Sequence, residues 1–157
     1  MAIDKQEFRK VLGHFAAGVT VVTTRGTDGA PYGLTATAFT SVSLEPPLVL
    51  VCVDKRSESH PHFLASRVFT INFLTREQEE MSRRFATSGG DKFVGLAARA
   101  GATGAPVLPD TLGHLDCRAV TVVDAGDHTI FVGEVDAGAA RDADPLLYFR
   151  GAYRRVG

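Results

Sequence analysis

The chain has 157 residues, the length of one domain, since single domains usually run about 100–200 residues. Hydrophobic residues make up 45% and charged residues 22%, a globular balance that excludes a disordered chain. With 17 Lys and Arg against 18 Asp and Glu, the formal net charge is −1, so no basic excess exists to hold a nucleic-acid backbone or an anionic membrane surface.

The longest apolar run, Pro46 to Val53, is far short of the about 20 residues that a membrane-spanning helix needs. Met1 to Glu7 turns acidic early and lacks an apolar segment, so no secretory signal is expected. Cys52 and Cys117 form no Cys-x-x-Cys pair and lie in strand-like runs. That pattern predicts two buried thiols in a cytoplasmic protein.

Asp4-Lys5-Gln6-Glu7 reads as a helix start, with Asp4 accepting from the amide three residues on and Glu7 reaching back. Phe8, Val11, Leu12 and Phe15 then form one apolar stripe at helical spacing. Gly18 is expected to end the segment. Val19 to Thr24 is rich in β-branched residues and predicts a strand. Asp28-Gly29 marks a hairpin turn.

Gly33 to Leu44 is uncharged and dominated by small residues and hydroxyls. Alone it fits a hairpin facing water. It also fits a surface for a flat ligand, because small side chains let backbone amides approach a ring and Ser and Thr offer neutral donors. Glu45-Pro46-Pro47 breaks the run, and Leu48 to Val53 predicts a buried strand. Asp54-Lys55-Arg56-Ser57-Glu58-Ser59 follows directly. Two cations and two hydroxyls at a strand end suit a phosphate, or simply a solvated turn.

His60 to Ala65 predicts a short helix and Val68 to Phe73 a strand. Thr75-Arg76-Glu77-Gln78 is a second capping box, opening a helix to about Ala86. Its Glu79–Arg83 and Glu80–Arg84 pairs mark a solvated face. Thr87 to Asp110, rich in Gly, Ala and Pro, predicts irregular structure anchored by Phe93 and Leu96. Leu115 to Val123 alternates like a half-buried strand. Asp124 to Asp127 is a turn, His128 to Val135 its hairpin partner, and Leu146 to Phe149 a last short strand. Hairpin connections and a series of six or more strands predict a mainly β fold, an antiparallel barrel with helices at its edges, in one domain over 1–157.

The chain lacks a Gly-x-Gly-x-x-Gly fingerprint, a P-loop, a His-Glu-x-x-His pair and a Gly-x-Ser-x-Gly elbow. A Rossmann site, a zinc site and hydrolase chemistry are therefore not expected. His128, alone after an acidic turn, reads as structural more readily than as functional.

Taken together, Gly33 to Leu44, Pro46 to Ser57, Phe69-Thr70-Ile71-Asn72-Phe73-Leu74, Phe85-Ala86 with Asp91-Lys92-Phe93, Gly126 to Val135 and Pro145 to Gly151 resemble the flavin reductase-like family. Its members include the small reductase components of two-component flavin monooxygenases. The resemblance runs from about Phe8 to Tyr153, in family order. It implies a split β-barrel of Greek-key, FMN-binding type, a homodimer, and hydride transfer from NADH or NADPH to FMN or FAD. Reduced flavin would then pass to a partner flavin-dependent monooxygenase. It also implies roles by position. Thr35, Ala36, Thr37, Ala38, Ser41, Val42 and Ser43 would look onto the isoalloxazine ring. Asp54, Lys55, Arg56 and Ser57 would lie toward the ribityl chain and phosphate. Phe85, Lys92 and Phe93 would form the lip of the site, with Tyr148 also near the cofactor. His128 would stand near the nicotinamide. The chain departs from the common pattern at Ala38, where many members carry Asn, and at Ala152, where relatives often have Arg. A flavin-binding electron carrier of the same barrel is the alternative, and an oxidase or corrin-ring reductase a third possibility.

Overall fold

The computed structural model describes all 157 residues. Helix α1 spans Lys5–Leu12. Asp4 caps it, accepting from the Gln6 and Glu7 amides at 3.1 and 3.3 Å, so the forward half of the expected box forms. The helix stops at Gly13, well before Gly18. The expected stripe finds no core here: Phe8, Val11, Leu12 and Phe15 are all exposed, Phe15 by 80%. With nothing to pack on, apolar spacing does not prolong a helix.

The strands follow in order: β1 Ala17–Gly18, β2 Thr20–Arg25, β3 Pro31–Ala36, β4 Phe39–Ser43, β5 Leu48–Asp54, β6 Val68–Phe73. Helix α2 (His60–Ser66) lies between β5 and β6, and α3 (Glu79–Ala86) follows β6. Then come two short strands, β7 Arg99–Ala100 and β8 Pro106–Val107, inside the segment expected to be irregular. The long hairpin β9 Gly113–Ala125 and β10 His128–Ala140, then β11 Leu146–Phe149 and β12 Ala152–Arg155, complete the chain.

Helix α3 begins one turn later than its capping box predicts. The Gln78 side chain does accept from the Thr75 amide, at 3.0 Å. Thr75 is also held in a β-bridge to Pro145, and the Gln78 side-chain amide donates to the Pro109 carbonyl. Thr75 to Gln78 is thus a turn, closed by the Gln78 amide on the Thr75 carbonyl. The Glu79–Arg83 pair is present and exposed.

Seven strands form one antiparallel sheet in the order β3-β2-β6-β9-β10-β5-β4. Its edge strands, β3 and β4, are consecutive in sequence and joined by Thr37 and Ala38 alone. Laid flat, the edges would stand roughly 29 Å apart, six spacings of about 4.8 Å. The connection reaches at most about 11 Å. The sheet therefore curls until its edges approach, without hydrogen-bonding to each other. Inside the curl Phe63, Phe69 and Phe131 pack with centroids 6.0–6.5 Å apart, among Val22, Val51, Val53, Ile71 and Cys117. A second core, with Val21, Leu74, Phe85 and Leu146, seats α3 and the small β1-β11-β12 sheet. Both cysteines are free thiols, as expected, but only Cys117 is buried; Cys52 is half-buried. Burial raises the Cys117 thiol to about 12. No helix is long and apolar enough to cross a membrane.

Candidate functional site

Strand β5 delivers Asp54 to the sheet rim, where it pairs in register with His128 at the start of β10. Beyond it the chain turns back at once. The Asp54 carboxylate accepts from the Arg56 amide at 2.8 Å and from the Arg56 guanidinium at 3.2 and 2.9 Å. These bonds, the side-chain one foremost, hold the Asp54 carboxyl down at about 2. The rest of the Arg56 guanidinium faces solvent. Lys55 points the other way: its ammonium donates to the Asp124 carboxylate and, at 2.8 Å, to the Gly126 carbonyl. The Ser57 Oγ accepts from the Ser59 amide at 3.1 Å, leaving its own proton free to donate. Buried Ser59 donates to the Gly33 carbonyl at 3.1 Å, which ties the turn to β3.

Across from this turn, α3 ends against β3. The Thr35 hydroxyl donates to the Ser82 carbonyl at 2.6 Å. The Phe85 ring lies on Gly33, where a Cβ would stand 3.0 Å from it; even an alanine there would require the ring to give by a few tenths of an ångström. Phe85 meets Phe93 edge-on at 5.1 Å, and the Lys92 ammonium lies 3.4 Å from the Phe85 carbonyl.

β3, the Asp54–Ser59 turn and the α3 end enclose a cavity of about 450 Å³. The structure brings Thr35, Asp54, Arg56, Ser57, Phe85 and Lys92 together on its walls. A second cavity, of about 370 Å³, adjoins it and holds Phe93, sharing Lys92 and Glu58 with the first. Thr37, Ala38, Ser41 and Val42 are exposed and Ser43 is half-buried, and none of them lines this cavity. The Ala36 side chain instead joins the core, and its carbonyl accepts from the Thr20 hydroxyl. Lys55 and His128 flank the trough through Asp54 without lining it. The His128 ring pairs with the Asp127 carboxylate at 2.7 Å, which lowers the Asp127 carboxyl. Tyr148 stands apart on the small sheet, edge-on to Tyr153 at 5.4 Å.

Thr87 and Ser88 add hydroxyls to the trough, and Glu58 ties the turn to this stretch by accepting from the Gly89 amide at 3.0 Å. Thr87 and Ser88 belong to the stretch that composition reads only as irregular; their hydroxyls beside Gly89-Gly90 were the available signal. The cavity has an uncharged β3 wall of Leu34 and Thr35. On its other walls stand the cations Arg56 and Lys92 and the hydroxyls of Ser57, Thr87 and Ser88, beside the Asp54 and Glu58 carboxylates. The arrangement fits the class of proteins that bind a flat ring with an anionic tail.

Comparison with known proteins gives that class its family. The family described as "Flavin reductase like domain" matches residues 12–157, and the chain belongs to it. It is 45% identical over 152 residues to an FMN reductase (NADH) of Agrobacterium fabrum, covering 97% of this chain and 86% of that one. It is 44% identical over 151 residues to the reductase component of a 4-nitrophenol 4-monooxygenase/4-nitrocatechol 2-monooxygenase of Rhodococcus opacus, covering 96% and 80%. Its fold is similar, with a TM-score of 0.92 and 38% identity, to the NADH:FAD oxidoreductase SgcE6 of Streptomyces globisporus in complex with NAD and FAD fragments, covering 100% and 97%.

Proposed function

We propose that this chain is an NAD(P)H:flavin oxidoreductase that transfers hydride from NADH or NADPH to FMN or FAD and supplies reduced flavin to a partner monooxygenase. One observation carries the reading: the trough, neutral along β3 and cationic at Arg56 and Lys92, in a chain that aligns with named flavin reductases along nearly its whole length.

Bound flavin would supply the hydride acceptor and the nicotinamide the donor, so the protein's task is alignment and not proton transfer. The residues present fit that task. β3 offers an uncharged wall, its Thr35 hydroxyl already anchored. The exposed Thr37, Ala38, Ser41 and Val42 leave a ring face approachable. Arg56, Ser57 and Lys92 hold the phosphate end, and Lys55 supports the turn from behind. His128, at the rim beside Asp54, orients the nicotinamide carboxamide. Phe85 and Phe93 form the lip, while Ala36 and Tyr148 act at most through neighbouring backbone and packing.

The same reading includes a split β-barrel, supported by the curled seven-stranded sheet, in a single domain. It includes a homodimer, supported by exposed Phe8, Phe15, Val42 and Leu44, and a cytoplasmic setting, supported by the two free thiols. The test is an oxygen-free rapid-mixing experiment with flavin and each nicotinamide. Rapid bleaching of the flavin supports the reductase; binding without bleaching would leave a flavin carrier.

A further inference from the structure

The far end of the β9–β10 hairpin carries a second group of basic side chains, away from the trough. His128 opens β10 and Ala140 ends it, so at about 3.3 Å per residue roughly 40 Å of strand separate the two ends. At the Ala140 end, Arg99 on β7, Val107 on β8, the 108–112 connection, the start of β9 and Arg141 bound a cavity of about 340 Å³. It shares no residue with the trough. Its lining is largely apolar: Val107 and Leu108 are buried, Pro109 and Leu112 half-buried, and Ala139 and Ala140 exposed.

Three basic side chains line this cavity. Arg99 is exposed and enters no ion pair. Arg141 is held in place: its guanidinium donates to the Thr111 and Asp110 carbonyls at 2.9 and 2.8 Å, and its amide to the Leu112 carbonyl at 3.0 Å. These bonds use Nε and Nη2, so Nη1 keeps both its hydrogens. His114, paired in register with Ala139, has a side chain only 11% exposed, and its ring makes no hydrogen bond. The Asp116 carboxylate lies 4.0 Å from it, already engaged by the Thr70 hydroxyl and the Ala102 amide, each at 3.0 Å. Against these donors the cavity lining itself has one carboxylate, the exposed Asp110.

We propose that this cavity binds a small apolar carboxylate, an aromatic acid in the simplest case. Its carboxylate meets Arg99, Arg141 and His114, and its ring covers Leu108, Pro109 and Leu112. The site goes beyond the flavin-reductase reading and does not depend on it. A nearly buried imidazole without a hydrogen bond calls for a partner, and a carboxylate accepts from it and from two guanidiniums in charge-assisted bonds. Arg141 is already fixed by the backbone, so little ordering is lost when it binds. An apolar lining with a few convergent polar groups is the usual make-up of a small-molecule site, and the volume lies near the lower end of the usual range of about 300–1,000 Å³. That suits one ring and not a dinucleotide. A bare phosphate would leave the apolar lining uncovered.

Benzoate is the probe, followed by amide chemical shifts of the whole chain with FMN present to fill the trough. Benzyl alcohol lacks the charge, acetate lacks the ring, and inorganic phosphate is the bare anion. Benzoate should shift the amides of Leu108, Leu112, His114 and Ala139 and leave those of Thr35 and Ser57 in place, with a Kd of about 1 mM or below. Benzyl alcohol, acetate and phosphate should each bind at least about fivefold more weakly, because each lacks one half of the interaction. Arg99→Ala and His114→Gln should each weaken benzoate by about threefold or more, with FMN affinity unchanged. Arg99 is exposed, so its variant decides the matter should His114→Gln misfold. No shifts around the cavity, shifts at Thr35 and Ser57 alone, any control binding as tightly as benzoate, or full affinity in Arg99→Ala overturns the site. If FMN itself fails to bind, the flavin-reductase reading falls, while the shifts at Leu108 and His114 still decide the carboxylate site.

Discussion

Lys55 reaches across the sheet rim to Asp124, and its backbone amide donates to the Asp127 carbonyl at 3.0 Å. The turn after β5 is thereby strapped to the β9–β10 hairpin tip that presents His128. Arg56 and Ser57, one and two residues on, face the trough instead. Neighbouring residues of one short turn thus point to two different features, the hairpin tip and the trough.

That division makes a first prediction. Ser57→Ala should weaken FMN binding by about tenfold or more, since hydrogen bonds to charged groups are worth roughly 1.5–3 kcal/mol. Riboflavin, lacking the phosphate, should be nearly insensitive. Lys55→Met should instead raise the KM for NADH by loosening the hairpin, with a smaller effect on FMN. Fluorescence titration and steady-state kinetics on both variants check this. Equal losses for FMN and riboflavin in Ser57→Ala would remove the turn from phosphate binding.

The sequence made the central strands legible because β5 is an apolar run bounded by Pro47 and a charged turn, and β6 is rich in β-branched and aromatic residues. It misjudged elements whose limits are set by distant partners. α1 stops at Gly13 because its stripe meets no core. β12 went unseen because its turn, Arg150-Gly151, uses two positive φ angles, 53° and 73°, without the usual Asn-Gly or Asp-Gly signal. β10 runs on through Ala137 to Ala140, where small exposed residues carry no alternation, because β9 continues to pair beside it. At the site, Arg56 and Lys92 could be picked by residue type, yet their meeting depends on Ser59 binding Gly33 and Glu58 binding Gly89. Such contacts between distant segments leave no local pattern.

A second prediction concerns assembly. Phe8, Phe15 and Leu44 are exposed by 50%, 80% and 93%, costly surface unless a second copy covers it. Sedimentation at micromolar concentration should give about twice the 16.8 kDa chain mass. Phe15→Asp should shift the protein toward monomer. A wild-type monomer would leave this apolar face without its expected partner.

A third prediction is a stability difference in acid. The Asp54 carboxyl lies at about 2, below its ordinary 3.8, because Arg56 donates to it from side chain and backbone. A folded value below the unfolded one stabilises the fold where the unfolded group is ionised and ceases to do so as pH falls through the folded value. The melting-temperature advantage of the wild type over Asp54→Asn should therefore be constant above about pH 4 and shrink between pH 3.8 and about 2. An advantage that grows with acid would contradict the pairing.

The last prediction weighs the two roles open to His128. Its ring is 39% exposed and paired with Asp127, itself 77% exposed, and such solvent-facing pairs contribute little to stability. His128→Ala should thus barely change the melting temperature. If the ring orients the nicotinamide, the same substitution should raise the KM for NAD(P)H and lower kcat/KM by about one to two powers of ten, with flavin affinity nearly unchanged. Hydride transfer needs no general base, so the wild-type pH profile should stay shallow across the histidine range. Asp127→Asn provides the control, because it removes the pairing and keeps the ring. Kinetics disturbed in His128→Ala and mild in Asp127→Asn place the imidazole on the substrate. A lowered melting temperature with intact kinetics would make His128 a hairpin residue and remove it from the site.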